Sequence, residues 1–494
     1  MVSWLLILIL SLTLSLTLTL KHIITFHNTK NNLPPSSPTV PFLGNLLWLY
    51  KSFTDIETTL DDLRRRYGPI VTLFIGPRPI VFITDPSLIH QSLIMKASVF
   101  SDRPPADEPS LLFTSGQRNI SFAHYGPLWR TLRRNLTTGI LHPTRIRSYV
   151  HRREEVCELL LERLRSEAEE GGGVCAPMRG FQYAMLMLLL LMSFGEEVGE
   201  DVYVKMDALR HSVVVFNLFP KLSKIAFRGR WRSLLDLRRE LDDLLIPLVR
   251  SRRHNTNNNN SRHRLYSYVD TLLDLKLTDD EGARALDDRE VVTLLFEFLM
   301  AGADTTTASL QWTIAHLAKS PRVQERLARE VVSSSGEEDI PYLKAVIMEV
   351  LRIRPPGMVL LPHMVSEDVT VNGYVIPKGV EVNVPIAAAG RDGRVWEEAM
   401  EFKPERFLGE DGRLLEVDMM GRQEIIKMMP FGVGRRVCPG EGLAMVNLEY
   451  FLARLVREFE WRAVEGEEID MAAKMEITVV MKKPVRVRIR ARNC

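Results

Sequence analysis

Cysteine is scarce: there are four in 494 residues, Cys157, Cys175, Cys438 and Cys494. None forms a Cys-x-x-Cys pair, and no cysteine–histidine group has zinc spacing, so a zinc-ribbon or dithiol-redox reading is excluded. So few, scattered thiols fit a reducing compartment. Cys157 falls in a helical pattern and reads as packing, and Cys494 is the last residue. Net charge is also small. The 64 basic and 62 acidic side chains leave +2, so nothing global argues for nucleic acid. Linkers that would split the chain are missing, and no internal repeat is evident. One low-complexity break, HNTNNNNSRH at 254–263, reads as a polar surface loop between helices. With 46% hydrophobic and 26% charged residues the composition is globular and allows a large core.

Charge is absent altogether from residues 2–20, VSWLLILILSLTLSLTLTL. About 20 apolar residues span a bilayer core. No basic segment precedes this run and no A-x-A cleavage site follows it, so residues 1–20 read as an uncleaved signal-anchor transmembrane helix. Lys21, His22 and Lys30 follow, which places the C-terminal bulk in the cytosol. On that topology the sequons at Asn119, Asn135 and Asn259 stay bare. Residues 21–41 read as a basic, proline-rich hinge in which Pro34, Pro35, Pro38 and Pro41 block helix continuation. From residue 42 to 494 the chain reads as one domain.

Helical patterns outweigh strands in that body. The clearest are 148–170 and 289–320, with another over 441–457. A strand pair is expected over 69–84, interrupted by Gly76-Pro77, and short strands over 368–384 with a turn at Asn372-Gly373. The alternation in 476–491 predicts a hairpin.

Residues 431–440, FGVGRRVCPG, hold the most specific signal. Gly432, Gly434 and Gly440 would let the backbone take positive φ and approach a flat ligand. Arg435, Arg436 and the N-terminus of the following helix would favour thiolate over thiol at Cys438. A lone thiolate in such a loop suits one axial bond to haem iron. The plainer reading is a buried free cysteine in a glycine turn.

Three other groups of residues stand out. The 289–320 helix contains Ala301-Gly302-Ala303-Asp304-Thr305-Thr306, small residues followed by an acid and a hydroxyl. That order suggests a flat group against this turn, with Thr305 bonding a carbonyl one turn back and opening the helix ladder to make room for water or dioxygen, and Asp304 feeding protons inward. Glu349 and Arg352 share a helix face in apolar surroundings, and Arg406 in Pro404-Glu405-Arg406-Phe407 is a plausible third partner. Trp129 and Arg133 lie four apart in YGPLWRTLRRNL.

The motif Phe431-x-x-Gly434-x-Arg436-x-Cys438-x-Gly440, together with these groups in this order, resembles the cytochrome P450 superfamily. YGPLWRTLRRNL, SYVDTLLDL and IKMMPFGVGRRVCPGEGLAM are most similar to plant microsomal A-type members of family 89, subfamily A. The resemblance covers nearly the whole chain. It implies a mainly α fold with small β-sheets, the cytochrome P450 fold, behind one N-terminal transmembrane helix. It implies haem b (iron protoporphyrin IX) on Cys438, with Trp129, Arg133, Ala301, His363, Phe431, Gly434, Arg436 and Gly440 around the cofactor. Asp304 and Thr305 would be catalytic, and Glu349, Arg352 and Arg406 would brace the cysteine loop. Phe113, Phe298, Val359 and Val479 would face a small hydrophobic substrate.

The activity implied is a monooxygenase that takes electrons from NADPH through a membrane-bound flavoprotein reductase, with cytochrome b5 a further possible donor. The place implied is the endoplasmic reticulum membrane, with the body in the cytosol. A redox-independent haem-thiolate isomerase or dehydratase, or a non-catalytic haem protein, is the alternative. Four departures from the family pattern stand out, the first bearing on the hinge and the other three on the substrate or on loop stability. Ser36-Ser37 replaces a Gly-Pro pair, Arg354 stands where histidine is usual, the stretch between Glu330 and Pro341 is short, and AAAGRDGRVW replaces a more polar or aromatic segment.

Overall fold

In the computed structural model the described residues are 33–39, 44–45, 56–75, 78–199, 202–206, 228–257, 265–279, 282–334, 340–418, 426–476 and 478–492. The anchor expected at 1–20 lies outside them, as do Gly76-Pro77 and Asn259. They divide into two compact units, one holding residues up to 102 plus 360–385 and the other holding 103–359 plus 386 onward.

The first unit is built on a four-stranded sheet. Ile70–Ile75 and Arg78–Ile83 pair antiparallel, with Ile70 opposite Ile83 and Leu73 opposite Ile80. Their β-branched and aromatic side chains are mostly buried, which is why the run is apolar without clean alternation. Glu381–Asn383 runs parallel to Arg78–Ile83, and His363–Met364 closes the far edge. The expected turn at Asn372-Gly373 joins Val369–Val371 to Tyr374–Ile376. Both turn residues have positive φ, 51° and 79°, as a two-residue hairpin loop requires. The proline segment before the sheet runs along its first strand. Thr72 donates from its backbone N–H to the Pro35 carbonyl at 2.8 Å and from its hydroxyl to Pro34 at 2.9 Å.

The second unit is mainly helical. Its long helices are α1 (Pro127–Thr138), α2 (Val150–Glu170), α3 (Met178–Phe194), α4 (Arg228–Asn257), α5 (Asp288–Lys319), α6 (Pro341–Ile353) and α7 (Glu441–Glu458). Helix α5 is the axis, packing against α3, α4, α6 and α7. Its start is fixed by a reciprocal cap: Asp287 accepts from the Glu290 N–H at 2.8 Å, and Glu290 accepts from the Asp287 N–H at 3.0 Å. Among the described residues α5 alone is long and apolar enough to cross a membrane, but it is mostly buried inside the protein. Its neighbour α3 is apolar almost all round because it too is enclosed.

Two expectations are corrected here. Helix α4 continues to Asn257, so the first four residues of the expected loop, 254–257, are helical. The segment 476–491 is not a hairpin. Val479–Met481 pairs with Ala473–Met475, whereas Val487–Ala491 lies between Phe459–Ala463 and Val174–Cys175 in another sheet. Pro484 separates the two strands; it has no N–H to offer a ladder, so the alternation on either side belongs to different sheets.

Candidate cofactor and catalytic site

The cysteine loop belongs to the second unit. The Cys438 backbone N–H donates to the Phe431 carbonyl at 2.8 Å, closing the loop. Gly432 and Gly434 have φ of 73° and 75°, so glycine is required at both. Gly440 differs from expectation: its φ is −90°, and it serves as the residue before α7. A Cβ there would sit 3.8 Å from Cys438 Sγ, so its value is the clear approach to sulfur rather than an unusual dihedral. The Gly440 N–H points at Sγ from 3.4 Å.

Cys438 has accessible surface although protein surrounds its sulfur on almost every side. Against the expectation of a favoured thiolate, that enclosure pushes the thiol pKa up on balance, with the Glu441 charge adding to it, while the Gly440 and Glu441 N–H groups and the Arg133 charge pull it down. The cation that acts on sulfur is therefore Arg133, not the adjacent pair expected from sequence. Arg133 donates to the Val437 carbonyl at 2.7 Å, and burial lowers its own pKa. Arg435 turns to the Tyr125 hydroxyl at 3.0 Å. Arg436 donates to the Ala123 carbonyl at 2.7 Å and stacks over the Trp129 ring at 4.4 Å. The Trp129 indole N–H is taken by the Ile120 carbonyl at 3.1 Å. Residues 119–123, α1 and the cysteine loop thus form one hydrogen-bonded assembly.

Cys438 has no disulfide partner, and no cluster of three or more His, Cys, Asp or Glu residues occurs among the described residues. A thiolate there can offer a metal one protein bond and no more. With cationic side chains beside it and glycines keeping the sulfur clear, the donor set fits a haem held by a single axial sulfur.

On α5 the Thr305 hydroxyl donates to the Ala301 carbonyl at 2.7 Å, as expected, but the helix stays continuous through that turn instead of opening there. Ala301 is exposed and Thr305 half-buried in a stretch otherwise mostly buried, so this turn presents one open face; Asp304 is buried. Gly302 has a different reason from the one expected. A Cβ on it would meet Leu189 Cδ1 of α3 at 2.8 Å, so its smallness serves helix–helix packing.

Glu349, Arg352 and Arg406 come together at the end of α6. Arg352 makes a two-bond fork to Glu349 at 2.7 and 2.8 Å, and Arg406 Nε reaches the same carboxylate at 3.1 Å. Glu349 also accepts from the Lys403 backbone N–H at 2.8 Å. The remaining Arg352 donors go to the Gly390, Ala399 and Glu401 carbonyls. At Gly390 a Cβ would lie 2.5 Å from the Arg352 carbonyl, so the AAAGRDGRVW segment fits this crossing only with glycine. Arg354 donates to the Met471 carbonyl at 3.2 Å and stacks on Trp312 at 4.8 Å.

The remaining predicted residues are less gathered. His363 belongs to the first unit, buried, with Nδ1 2.5 Å from the Phe100 carbonyl; since a carbonyl only accepts, that nitrogen carries the proton. Phe113 packs against Phe296 and Phe298 against Tyr268, with ring centroids 6.2 and 5.1 Å apart. Val359 is half-buried. Val479 is tied by its backbone to Pro356 and to the Trp312 indole. A separate open groove of about 740 Å³, lined by Arg163, Arg179, Gln182, Gln311 and Lys474 among others, contains none of the predicted site residues.

Sequence reasoning missed Glu297. Its carboxylate accepts from Asn119 Nδ2 at 3.0 Å, the Ile120 N–H at 2.9 Å and the Ser121 N–H at 2.6 Å. Burial pushes its pKa up against these donors. The available signal was its spacing: an acid in LLFEFLMAG, four before Ala301 and eight before Thr305 on one helical face.

Comparison with known proteins agrees with this arrangement. The cytochrome P450 family model matches residues 34–489. Cytochrome P450 89A9 of Arabidopsis thaliana is 39% identical over 95% of this chain and 96% of its own length. The (+)-menthofuran synthase of Mentha piperita is 30% identical, covering 94% and 95% respectively. Among solved structures, a zebrafish cytochrome P450 with abiraterone superposes with a TM-score of 0.69 at 22% identity, covering 89% of this chain and all of that one; it shares the fold.

Proposed function

The chain belongs to the cytochrome P450 family, a monooxygenase lineage, and from that premise we propose that Cys438 is the axial ligand of a haem b in a monooxygenase acting on a small hydrophobic substrate. The carrying observation is the unpaired Cys438 in its loop, with the Gly440 N–H on its sulfur and Arg133 as the nearby cation. A thiolate-bound haem supplies electron-rich iron that favours O–O cleavage when O₂ is the oxidant.

The protein's own share is position, charge and protons. Arg133 and Arg436, with Trp129 packed beside them, are the groups that would hold the anionic propionates, each arginine already fixed by a backbone carbonyl. Phe431 and Gly434 shape the loop, and Ala301 leaves room on the opposite helix. Thr305 Oγ1, its own hydrogen committed to the Ala301 carbonyl, keeps lone pairs free to accept a proton donor on the open face. Asp304, next along the helix, is the group that would relay protons to that hydroxyl. Glu349, Arg352 and Arg406 keep α6 and the 390–406 segment fixed behind the loop. Phe113, Phe298, Val359 and Val479 are assigned to substrate contact, and their apolar character favours a hydrophobic molecule.

Electrons would come from NADPH through a membrane-bound flavoprotein reductase, with cytochrome b5 as a possible second donor. The exposed Arg130, Arg134 and Arg435 offer charge for an acidic partner near the cysteine loop. Residues 1–20 would anchor the protein in the endoplasmic reticulum membrane, residues 21–41 would act as the hinge, and 42–494 would form the cytosolic body.

The test is the carbon monoxide difference spectrum of the reduced microsomal protein beside a Cys438→Ala variant. The expected result is a red-shifted Soret band of thiolate-ligated haem that the variant loses. Folded protein without that band refutes the assignment. NADPH oxidation with added reductase then separates a monooxygenase from a reductase-independent isomerase.

A further inference from the structure

We propose that Glu297 is a positioning residue that clasps the 119–121 loop to helix α5 and, through the Ile120 carbonyl, sets Trp129 and Arg436 beside the cysteine loop. The inference rests on the reading of Arg436 as a cofactor anchor, and extends it to a residue one helical turn before Ala301.

The chain of contacts is continuous. One Glu297 oxygen takes Asn119 Nδ2 and the Ser121 N–H, and the other takes the Ile120 N–H. Asn119 is used at both ends, since its Oδ1 accepts from the Phe122 N–H at 3.2 Å, which curls the loop into a turn around the carboxylate. Arg103 pins the same loop from outside, donating to the Ser121 carbonyl at 2.8 Å. With its N–H on Glu297, Ile120 aims its carbonyl the other way. There it accepts the Trp129 indole N–H at 3.1 Å and Arg436 at 3.4 Å. Arg436 makes its shorter bond three residues on, at Ala123, and has its guanidinium carbon 4.4 Å from the Trp129 ring centre.

Among the described residues no cation touches Glu297; its donors are neutral, three N–H groups and the Ser121 hydroxyl. A half-buried carboxylate is still costly unless such donors meet it, so the loop and the acid stabilise each other. Loss of the acid leaves two backbone N–H groups and one amide buried without acceptors. The loop must then open to find water, and the Ile120 carbonyl moves with it.

The experiment uses the full-length protein in detergent. Hydrogen–deuterium exchange is followed over residues 118–123, and haem loss is timed by transfer to apomyoglobin. Glu297→Leu should speed exchange at Ile120 and Ser121 by about tenfold or more and quicken haem loss. Arg436→Leu should quicken haem loss without opening the loop. The double variant should lose haem no faster than the faster single one, because both act on one line of contacts. Glu297→Gln, equal in size but with one acceptor and an NH₂, should be intermediate, and it serves if the leucine variant fails to fold. Unchanged exchange in the Glu297 variants, or haem-loss effects that multiply in the double variant, overturns the proposal. The exchange readout does not depend on the cofactor, so a missing thiolate band would sink the haem reading and leave the clasp to be judged separately.

Discussion

Helices α3 and α5 meet at Gly302 and Leu189, and this contact makes a prediction whose sign depends on the background. In an exposed helix, Gly→Ala stabilises by about 1 kcal/mol. At Gly302 the new Cβ would stand 2.8 Å from Leu189 Cδ1 and 3.2 Å from Cδ2, inside van der Waals contact. Leu189 is 2% exposed and held in the core, so it can yield only by leaving its rotamer or by parting the helices. Overpacking of this kind costs about 1–3 kcal/mol. Set against the propensity gain, Gly302→Ala should destabilise by about 1 kcal/mol. Leu189→Ala alone should cost about 2–5 kcal/mol through the cavity it leaves. In that background the clash partner is gone, so adding Gly302→Ala should stabilise by about 1 kcal/mol, a coupling of about 2 kcal/mol. Urea unfolding of the four proteins, followed by far-ultraviolet circular dichroism, measures it. Equal destabilisation by Gly302→Ala in both backgrounds would refute the packing explanation.

Three further outcomes follow from the same coordinates. Burial, with Arg354 and Lys319 adding to it, pushes His316 down to about 3. The unfolded chain, with histidine near 6.5, then binds the extra proton between about pH 3 and 6.5, so this contribution is present above 6.5 and lost as pH falls. Between pH 6.5 and 5 the loss should be about 2 kcal/mol, and His316→Phe, which keeps the stack on Phe402, should lack that slope in urea titrations at each pH. Arg352→Met should cost about 3–5 kcal/mol, because it strands the Glu349 carboxylate and three carbonyls, whereas Arg406→Met, with one 3.1 Å bond to Glu349, should cost clearly less; comparable losses on denaturation would contradict the geometry. Glycosidase treatment should leave the mobility of the folded protein unchanged, since Asn119 is buried with its amide on Glu297 and Asn135 is bound to the Thr271 carbonyl at 2.8 Å.

Features set by neighbours in sequence were legible before any coordinates. The Asn372-Gly373 turn, the strand pair over 70–83, the Thr305–Ala301 bond and the start of α7 just after Cys438 are all local, and each follows from residue chemistry within a few positions. The meeting of Glu349, Arg352 and Arg406 was half local, and the rest came from a family pattern. Features that depend on a distant partner were misjudged. Gly302 answers to Leu189 on another helix, and the cation that acts on the Cys438 sulfur is Arg133 rather than its sequence neighbours. Strands 479–481 and 487–491 alternate alike but are claimed by different sheets. Glu297 was overlooked because a lone acid in an apolar helix has no meaning until residues 119–121 are folded onto it.

The contacts that frame the cysteine loop join parts of the chain made far apart: Arg133 with Val437, Arg436 with Ala123, and Arg153 with Asn447 at 2.9 Å. Closing a loop of some 300 residues costs about 5 kcal/mol in chain entropy before any constant term. Such contacts cannot nucleate folding; they form only after the helices between them have collapsed. The consequence is kinetic. The sulfur loop would be finished late, so a chain stalled partway would be compact and helical yet unable to hold the proposed haem, and the supply of cofactor during synthesis would matter most at that final stage.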